Sequence, residues 1–191
     1  MVKESGLSNG DGEYDLYLLL PNCSQKARVY CADMNTDNPL EYITLSAGRD
    51  TNYALNNRLP NGEYHSKHAK TAYDKIRLEV PSLNVLIGDS RFSVQIEGTY
   101  IERYATAKDC MWAASCEAYR QNKHGKTEAD LTGTDFKFPS SIPYNTNSWP
   151  TCASGWLAPT MSVDRKKWSV RCGGYCGGCK PTSLVLELDA C

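Results

Sequence analysis

Apolar and polar residues alternate along most of this chain in short runs divided by turn residues, a period-two pattern that favours strands over helices. Residues 14–20 form one such run, residues 21–25 turn it, and residues 27–32 return. The two runs predict a hairpin in which Cys23 and Cys31 lie close enough to bridge. A third strand is expected over residues 40–46. Residues 49–70 are polar, contain Asn61-Gly62 and show no period, which predicts a long surface loop. The cleanest alternation spans residues 75–80, where Ile76, Leu78 and Val80 face one way while Lys75, Arg77 and Glu79 face the other. Pro81-Ser82 turns the chain, and residues 83–87 and 91–97 continue the strands. Residues 105–114 carry the best helical pattern, with Cys110 and Cys116 near its end. Residues 118–150 are polar, with a faint strand signal over 131–138. Residues 156–162, 167–171 and 183–188 read as closing strands. The expected fold is mainly β (a β-rich α+β class): a single disulfide-stapled domain with one or two short helices, without repeat or internal linker.

Composition narrows the function classes. The 191 residues suffice for one domain with a real core, and a hydrophobic fraction of 41% supports folding. A net charge of −1 and a pI near 6.3 argue against a nucleic-acid partner. The basic clusters at Arg165-Lys166-Lys167 and around Arg120, Lys123 and Lys126 read as solvated loop charge. The longest aliphatic run, Leu18-Leu19-Leu20, falls far short of the ~20 residues a membrane span requires. Glu13 and Asp15 interrupt what would be the apolar region of a signal peptide, so the chain reads as a mature form or a fragment.

Cysteine changes the picture most. There are nine: Cys23, Cys31, Cys110, Cys116, Cys152, Cys172, Cys176, Cys179 and Cys191. That density is ordinary for a secreted, cross-linked domain and unusual in the cytosol. In Arg171-Cys172-Gly173-Gly174-Tyr175-Cys176-Gly177-Gly178-Cys179, three sulfurs are separated almost wholly by glycine, which reaches positive φ freely and predicts sharp turning. The run reads as disulfides or as a soft-metal site. Zinc needs four ligands, and no fourth cysteine or histidine follows at a matching distance. His65 and His68 lie far off. Cys176-Gly-Gly-Cys179 also lacks the following helix that lowers the thiol pKa in redox pairs. Disulfides are therefore expected. With an odd number of cysteines, one is free or bridges to another chain, which leaves a disulfide-linked dimer open. Cys191, at the terminus, is the natural candidate. Asn22-Cys23-Ser24 is a glycosylation sequon at Asn22 in an expected surface turn.

Catalytic signatures fail. No His-Glu-x-x-His and no Gly-x-Ser-x-Gly occurs. Gly88-Asp89-Ser90 is similar to one esterase block, but His65, His68 and His124 offer no partner motif, so a turn is the better reading. Asp33, Asn35 and Asp37 place oxygens at positions one, three and five of a calcium loop, making them weak calcium candidates. The glycine due at position six is Asn38, and the bidentate glutamate due at position twelve is Thr44. Trp112, Trp149, Trp156 and Trp168 are expected in the core rather than on a sugar platform. No cofactor is implied.

A family resemblance rests on particular segments. Gly12-Glu13-Tyr14-Asp15-Leu16-Tyr17, Val29-Tyr30-Cys31-Ala32-Asp33-Met34 and Glu41-Tyr42-Ile43-Thr44-Leu45 resemble the opening of a GON domain, the cysteine-rich module at the C-terminal end of some secreted ADAMTS-type metalloproteases. Lys75-Ile76-Arg77, Arg91-Phe92, Ala105-Thr106-Ala107-Lys108-Asp109-Cys110 and the closing cysteine–glycine run continue it, from about residue 12 to residue 188. The division implied is an N-terminal segment, residues 1–11, and a GON-like domain, residues 12–191. The opening is also similar to the start of fibrinogen-like domains. Against the GON pattern, the cysteine usual before Gly-Glu-Tyr is absent from residues 1–11, extra cysteines in the 49–70 loop are missing, and Cys23, Cys152 and Cys191 are added. The resemblance implies that Cys23 replaces the missing partner of Cys31 and that one of the late triplet takes Cys152. A six-residue separation lets Cys110 bridge Cys116.

The resemblance implies an extracellular, non-catalytic module associated with matrix or secretory traffic, binding an extracellular protein or glycan. In GON-containing proteases the catalytic zinc lies in another domain, so no catalytic residue carries over. Two alternatives stand beside it: a fibrinogen-like, calcium-assisted glycan-recognition lectin, and a structural matrix protein cross-linked through its odd cysteine.

Overall fold

The computed structural model describes residues 10–20, 23–58, 68–110, 125–147, 156–173 and 177–190. Every regular element among them is a strand. Five antiparallel strands form the first sheet: β1 (Gly12–Leu20), β2 (Cys23–Ala32), β3 (Leu40–Thr44), β6 (Lys75–Glu79) and β7 (Asn84–Val85), in that order. The predicted hairpin is β1–β2, paired without a break from Gly12↔Cys31 to Leu20↔Cys23. The alternation read in residues 75–80 is realised in β6, where Ile76 and Leu78 are buried in the core.

The second sheet has nine strands and forks. β4 (Tyr53–Arg58) pairs along one edge with β5 (Ala69–Tyr73), which in turn holds β8 (Ser93–Gly98). Along its other edge β4 changes partner midway. Residues 53–55 pair with β10 (Gly125–Asp130), and residues 56–58 run parallel to β9 (Ala107–Cys110). One branch continues β10–β14–β13, with β14 (Lys167–Cys172) and β13 (Trp156–Met161). The other continues β9–β15–β12, with β15 (Gly178–Pro181) and β12 (Tyr144–Asn147). β11 (Phe136–Lys137) and β16 (Glu187–Leu188) make a small third sheet.

A single hydrophobic core draws on both large sheets and on the segments between them. Leu18, Val29, Ile43, Ile76 and Leu78 come from the first, Ala54, Ala107, Ala129, Trp168 and Val170 from the second, Phe136 and Leu188 from the small third sheet, and Leu131, Phe138, Leu184 and Leu186 from the connections. Trp168 stacks on Tyr144 at 5.4 Å, which places it in the core as expected. Trp112 and Trp149 lie outside the described residues.

Two sequence expectations are corrected. The polar stretch 49–70 contains β4, the strand at the fork. Buried Asn52 clamps its start: Nδ2 donates to the Gly48 carbonyl at 3.0 Å and to the Asp130 carbonyl at 3.2 Å, while Oδ1 accepts the Asp130 amide at 2.9 Å. Polar side chains that satisfy backbone groups inside a fold carry no hydrophobic period, which hides the strand. The expected helix over 105–114 is replaced over its described residues: Ala105 adopts φ 59°, left-handed backbone that no helix contains, and β9 follows at once. Residues 111–114 lie outside the described residues.

Candidate functional site

The cysteine–glycine run sits where the two branches of the forked sheet meet. Cys172 ends β14 in one branch, Cys179 lies on β15 in the other, and a disulfide joins them with Cα atoms 5.9 Å apart. That separation is within the ordinary range for a bridge. Two of the three sulfurs weighed for zinc are thus bonded to each other, and only Cys176 of the triplet is left for Cys152. Among the described residues no group of three His, Cys, Asp or Glu side chains could hold a metal ion.

At its described positions glycine serves this run differently from the expectation. Gly173 and Gly178 do not take positive φ; they permit close approach. A Cβ at Gly173 would fall inside the carboxylate of Asp109, and one at Gly178 would strike Lys108 and the Ala107 carbonyl. Gly125, where β10 begins, is pressed in the same way against the Lys108 backbone. Lys108 and buried Asp109 are wedged among three glycines, and the Asp109 amide donates to the Gly177 carbonyl at 3.1 Å.

Glu102, unremarkable in the sequence, is a hub beside this junction and only 1% exposed. It accepts from Lys108 Nζ at 2.9 Å, Thr106 Oγ1 at 3.0 Å, Tyr100 Oη at 3.0 Å and the Arg103 amide at 3.2 Å. Burial pushes the carboxyl pKa up, but the Lys108 ammonium and these donors outweigh it and hold it below the usual glutamate value.

The Cys23–Cys31 bridge does not form. Both cysteines lie on β2, at opposite ends of a ten-residue strand. Eight residues of strand separate their Cα atoms by about 26 Å, far beyond the ~7 Å limit of a bridge. Cys23 is disulfide-bonded elsewhere. Cys31 is a free thiol, 4% exposed, its pKa raised to about 11 by burial and by the nearby charges of Glu41, Glu13 and Asp11. Cys116, Cys152, Cys176, Cys191 and Asn22, and the side chain of Cys110, lie outside the described residues.

The calcium candidates are placed in a turn after β2. Asp33 takes φ 56°, and its carboxylate is gripped at both oxygens by the Arg91 guanidinium, which holds its pKa below the usual range. Asn35 and Asp37 are exposed. Around this turn an aromatic and cationic cap covers part of the outer face of the first sheet. Glu13, Tyr30, Tyr42 and Arg77 form one cross-strand row. Phe92 meets Tyr30 and Tyr42 edge-on at 5.5 and 4.8 Å, and Lys75 Nζ lies 4.2 Å from the Tyr30 ring centre. The Gly88-Asp89-Ser90 segment is a turn: Asp89 accepts the Tyr42 hydroxyl at 3.1 Å and the Arg91 amide at 3.0 Å.

A cleft of about 350 Å³ opens on the second sheet, lined by polar Thr51, Glu128, Asp130, Thr160, Ser162, Lys167 and Ser169 and by apolar Ala129, Met161 and Trp168. The Thr160 and Ser169 hydroxyls lie 2.8 Å apart, and Lys167 Nζ approaches Asp130 at 3.4 Å. Asp130 is buried and Glu128 is paired with Lys126, so the hydroxyls of Thr51, Thr160 and Ser169 are the groups best placed to exchange hydrogen bonds with a polyhydroxylated ligand. The neighbouring basic cluster is internally paired: Arg165 with Glu187 at 2.9 Å and Lys166 with Asp189.

Two sheets sharing one core, with a disulfide binding the two arms of a fork, define a cysteine-stapled β module. The GON domain family model matches residues 1–63 and 56–190, nearly the whole chain. The chain belongs to the GON domain family. It is 30% identical over 198 residues to human "A disintegrin and metalloproteinase with thrombospondin motifs 20", covering 93% of this chain and 10% of that protein. The mouse protein of the same name gives 30% over 201 residues, with the same coverage. The chain thus spans about a tenth of the length of these relatives. No solved structure matches it significantly.

Proposed function

We propose that this chain is a secreted, non-catalytic binding module that attaches to an extracellular protein or glycan in the matrix or along the secretory route. The observation that carries this reading is the Cys172–Cys179 disulfide, which closes the most distinctive family motif with oxidised sulfur. Such bridges persist in oxidising compartments. The matched relatives are named as metalloproteinases with thrombospondin motifs, and this chain corresponds to a tenth of them. A binding role for an appended piece needs no catalytic group of its own. The hydroxyl- and carboxylate-lined cleft between β10, β14 and β13 is the surface best suited to a glycan or a basic peptide.

Retention on cell-derived matrix is the direct test. The secreted chain, oxidised at Cys172 and Cys179, is expected to remain on matrix through washing, and Asp130→Asn with Ser169→Ala to weaken that retention at least threefold. Recovery of reduced Cys172 and Cys179 from the medium removes the compartment assignment, and absence of retention removes the matrix role. The calcium-assisted lectin reading loses support from the Arg91 grip on Asp33; glycan-array signals that vanish with chelator would restore it.

A further inference from the structure

Each charge lining the cleft on the second sheet is answered from within the chain. Asp130, 4% exposed, accepts the Thr132 amide at 2.9 Å on one oxygen and meets Lys167 Nζ at 3.4 Å on the other. Glu128 is paired with Lys126. The hydroxyls are less fully used. Ser162 is committed, since its Oγ donates to Asp164 and accepts the Lys167 amide at 2.9 Å. Thr51 donates to the Ala47 carbonyl at 3.2 Å, which leaves its oxygen lone pairs to accept. Thr160 and Ser169 face each other across β13 and β14, with their hydroxyls 2.8 Å apart. One of their two protons bridges them and the other is left to donate, while lone pairs remain on both oxygens.

Building on the binding role above, we propose that this cleft takes a neutral saccharide, one or two rings of an uncharged glycan, and holds it without a metal ion. Two linked hydroxyls with one proton and several lone pairs to offer match the vicinal diol of a pyranose, whose hydroxyls also both donate and accept. Half-buried Met161 adds an apolar surface against which the C–H face of a sugar ring can pack. A volume of about 350 Å³ is at the small end of the range for ligand sites, which suits one or two rings. A sulfated or sialylated chain is disfavoured. Lys167 is answered by Asp130, and Glu128, whose side chain is 30% exposed, sets a carboxylate beside the hydroxyl pair. Glu128 is thus a specificity-determining residue: it neutralises Lys126 and repels anionic sugars. Calcium takes six to eight oxygen ligands, and among the described residues no group of three His, Cys, Asp or Glu side chains could hold an ion.

Retention on cell-derived matrix, together with an array of neutral, sialylated and sulfated glycans, tests the proposal. Binding is expected to concentrate on neutral chains and to survive chelator, sialidase and heparinase. It should also persist in about 1 M salt, where screening shortens to about 3 Å. Thr160→Ala with Ser169→Ala should weaken it about tenfold. Glu128→Gln should raise the signal from sulfated chains relative to neutral ones about threefold. Near-UV circular dichroism separates these effects from loss of fold. Binding confined to sulfated or sialylated chains, or lost to chelator, salt or heparinase, overturns the neutral-saccharide assignment while the binding role stands. So does neutral binding indifferent to the paired Thr160 and Ser169 substitution, or matrix retention without any array signal. A chain that binds neither matrix nor glycan overturns the binding role itself, and this assignment with it.

Discussion

At Gly173 the missing side chain leaves the space in which the Asp109 carboxylate sits. Gly173→Ala is expected to cost about 2–3 kcal/mol, at the upper end for overpacking a filled site. The double variant with Asp109→Ala should recover part of that loss, because the collision disappears while the buried partner is also removed. Denaturant melts of the two single variants and the pair measure the coupling. The sequence announced that glycine matters in this run, but not why: positive φ and close approach look the same in one dimension. Cys31 offers a second test at this scale. Its pKa is about 11 in the folded chain, above the ordinary thiol value of 9.0. A raised folded pKa favours the native state below the unfolded value, and that advantage is lost as pH climbs through the folded one. Stability is therefore expected to fall between about pH 9 and pH 11, and Cys31→Ala should flatten that fall in pH-dependent melts. Native Cys31 should also resist iodoacetamide at neutral pH, and mass mapping would show its alkylation only after unfolding.

Elements were legible where burial is one-sided and local. The hairpin over β1 and β2, the alternation of β6 and the closing strand β14 follow from period-two patterning against a single core. The strands at the fork were not. β4 is entered through Asn52 and also buries Asn56, so its pattern looks like loop. In β9, Ala107 and Lys108 have good helix propensity, yet parallel pairing with β4 overrides it. Beyond the nearby β5, the partners of β4 and β9 lie more than forty residues away, outside any local window of sequence. Asn52 itself makes the point testable. Asn52→Ala strips the Asp130 amide and carbonyl of their buried partner and is expected to destabilise by about 2–3 kcal/mol, measured by urea denaturation. Asn52→Asp should recover less than half of that, since it keeps the acceptor but loses the donor.

For the molecule as a whole, the bridge between β14 and β15 does more than close a seven-residue separation. Chain entropy alone assigns such a loop about 2–3 kcal/mol. Because the bridge ties the two branches over one shared core, the paired variant Cys172→Ala with Cys179→Ala should lower the melting temperature by about 5–10 °C in one cooperative transition. Scanning calorimetry that resolved two separate transitions would show that the branches melt independently. That sulfur in the closing run is bridged was legible from cysteine density and spacing. The pairing was not, because strand position decides which sulfurs can meet.

The placement of Cys31 bears on how this chain matures. Nine thiols with one left over can combine in nine times as many ways as eight, for which about 105 complete pairings exist. Once β2 docks, Cys31 is sealed beneath the sheet and withdrawn from exchange. A sheet that assembles ahead of oxidation thus shrinks the search by an order of magnitude, whereas an oxidant that arrives first finds every sulfur still in play.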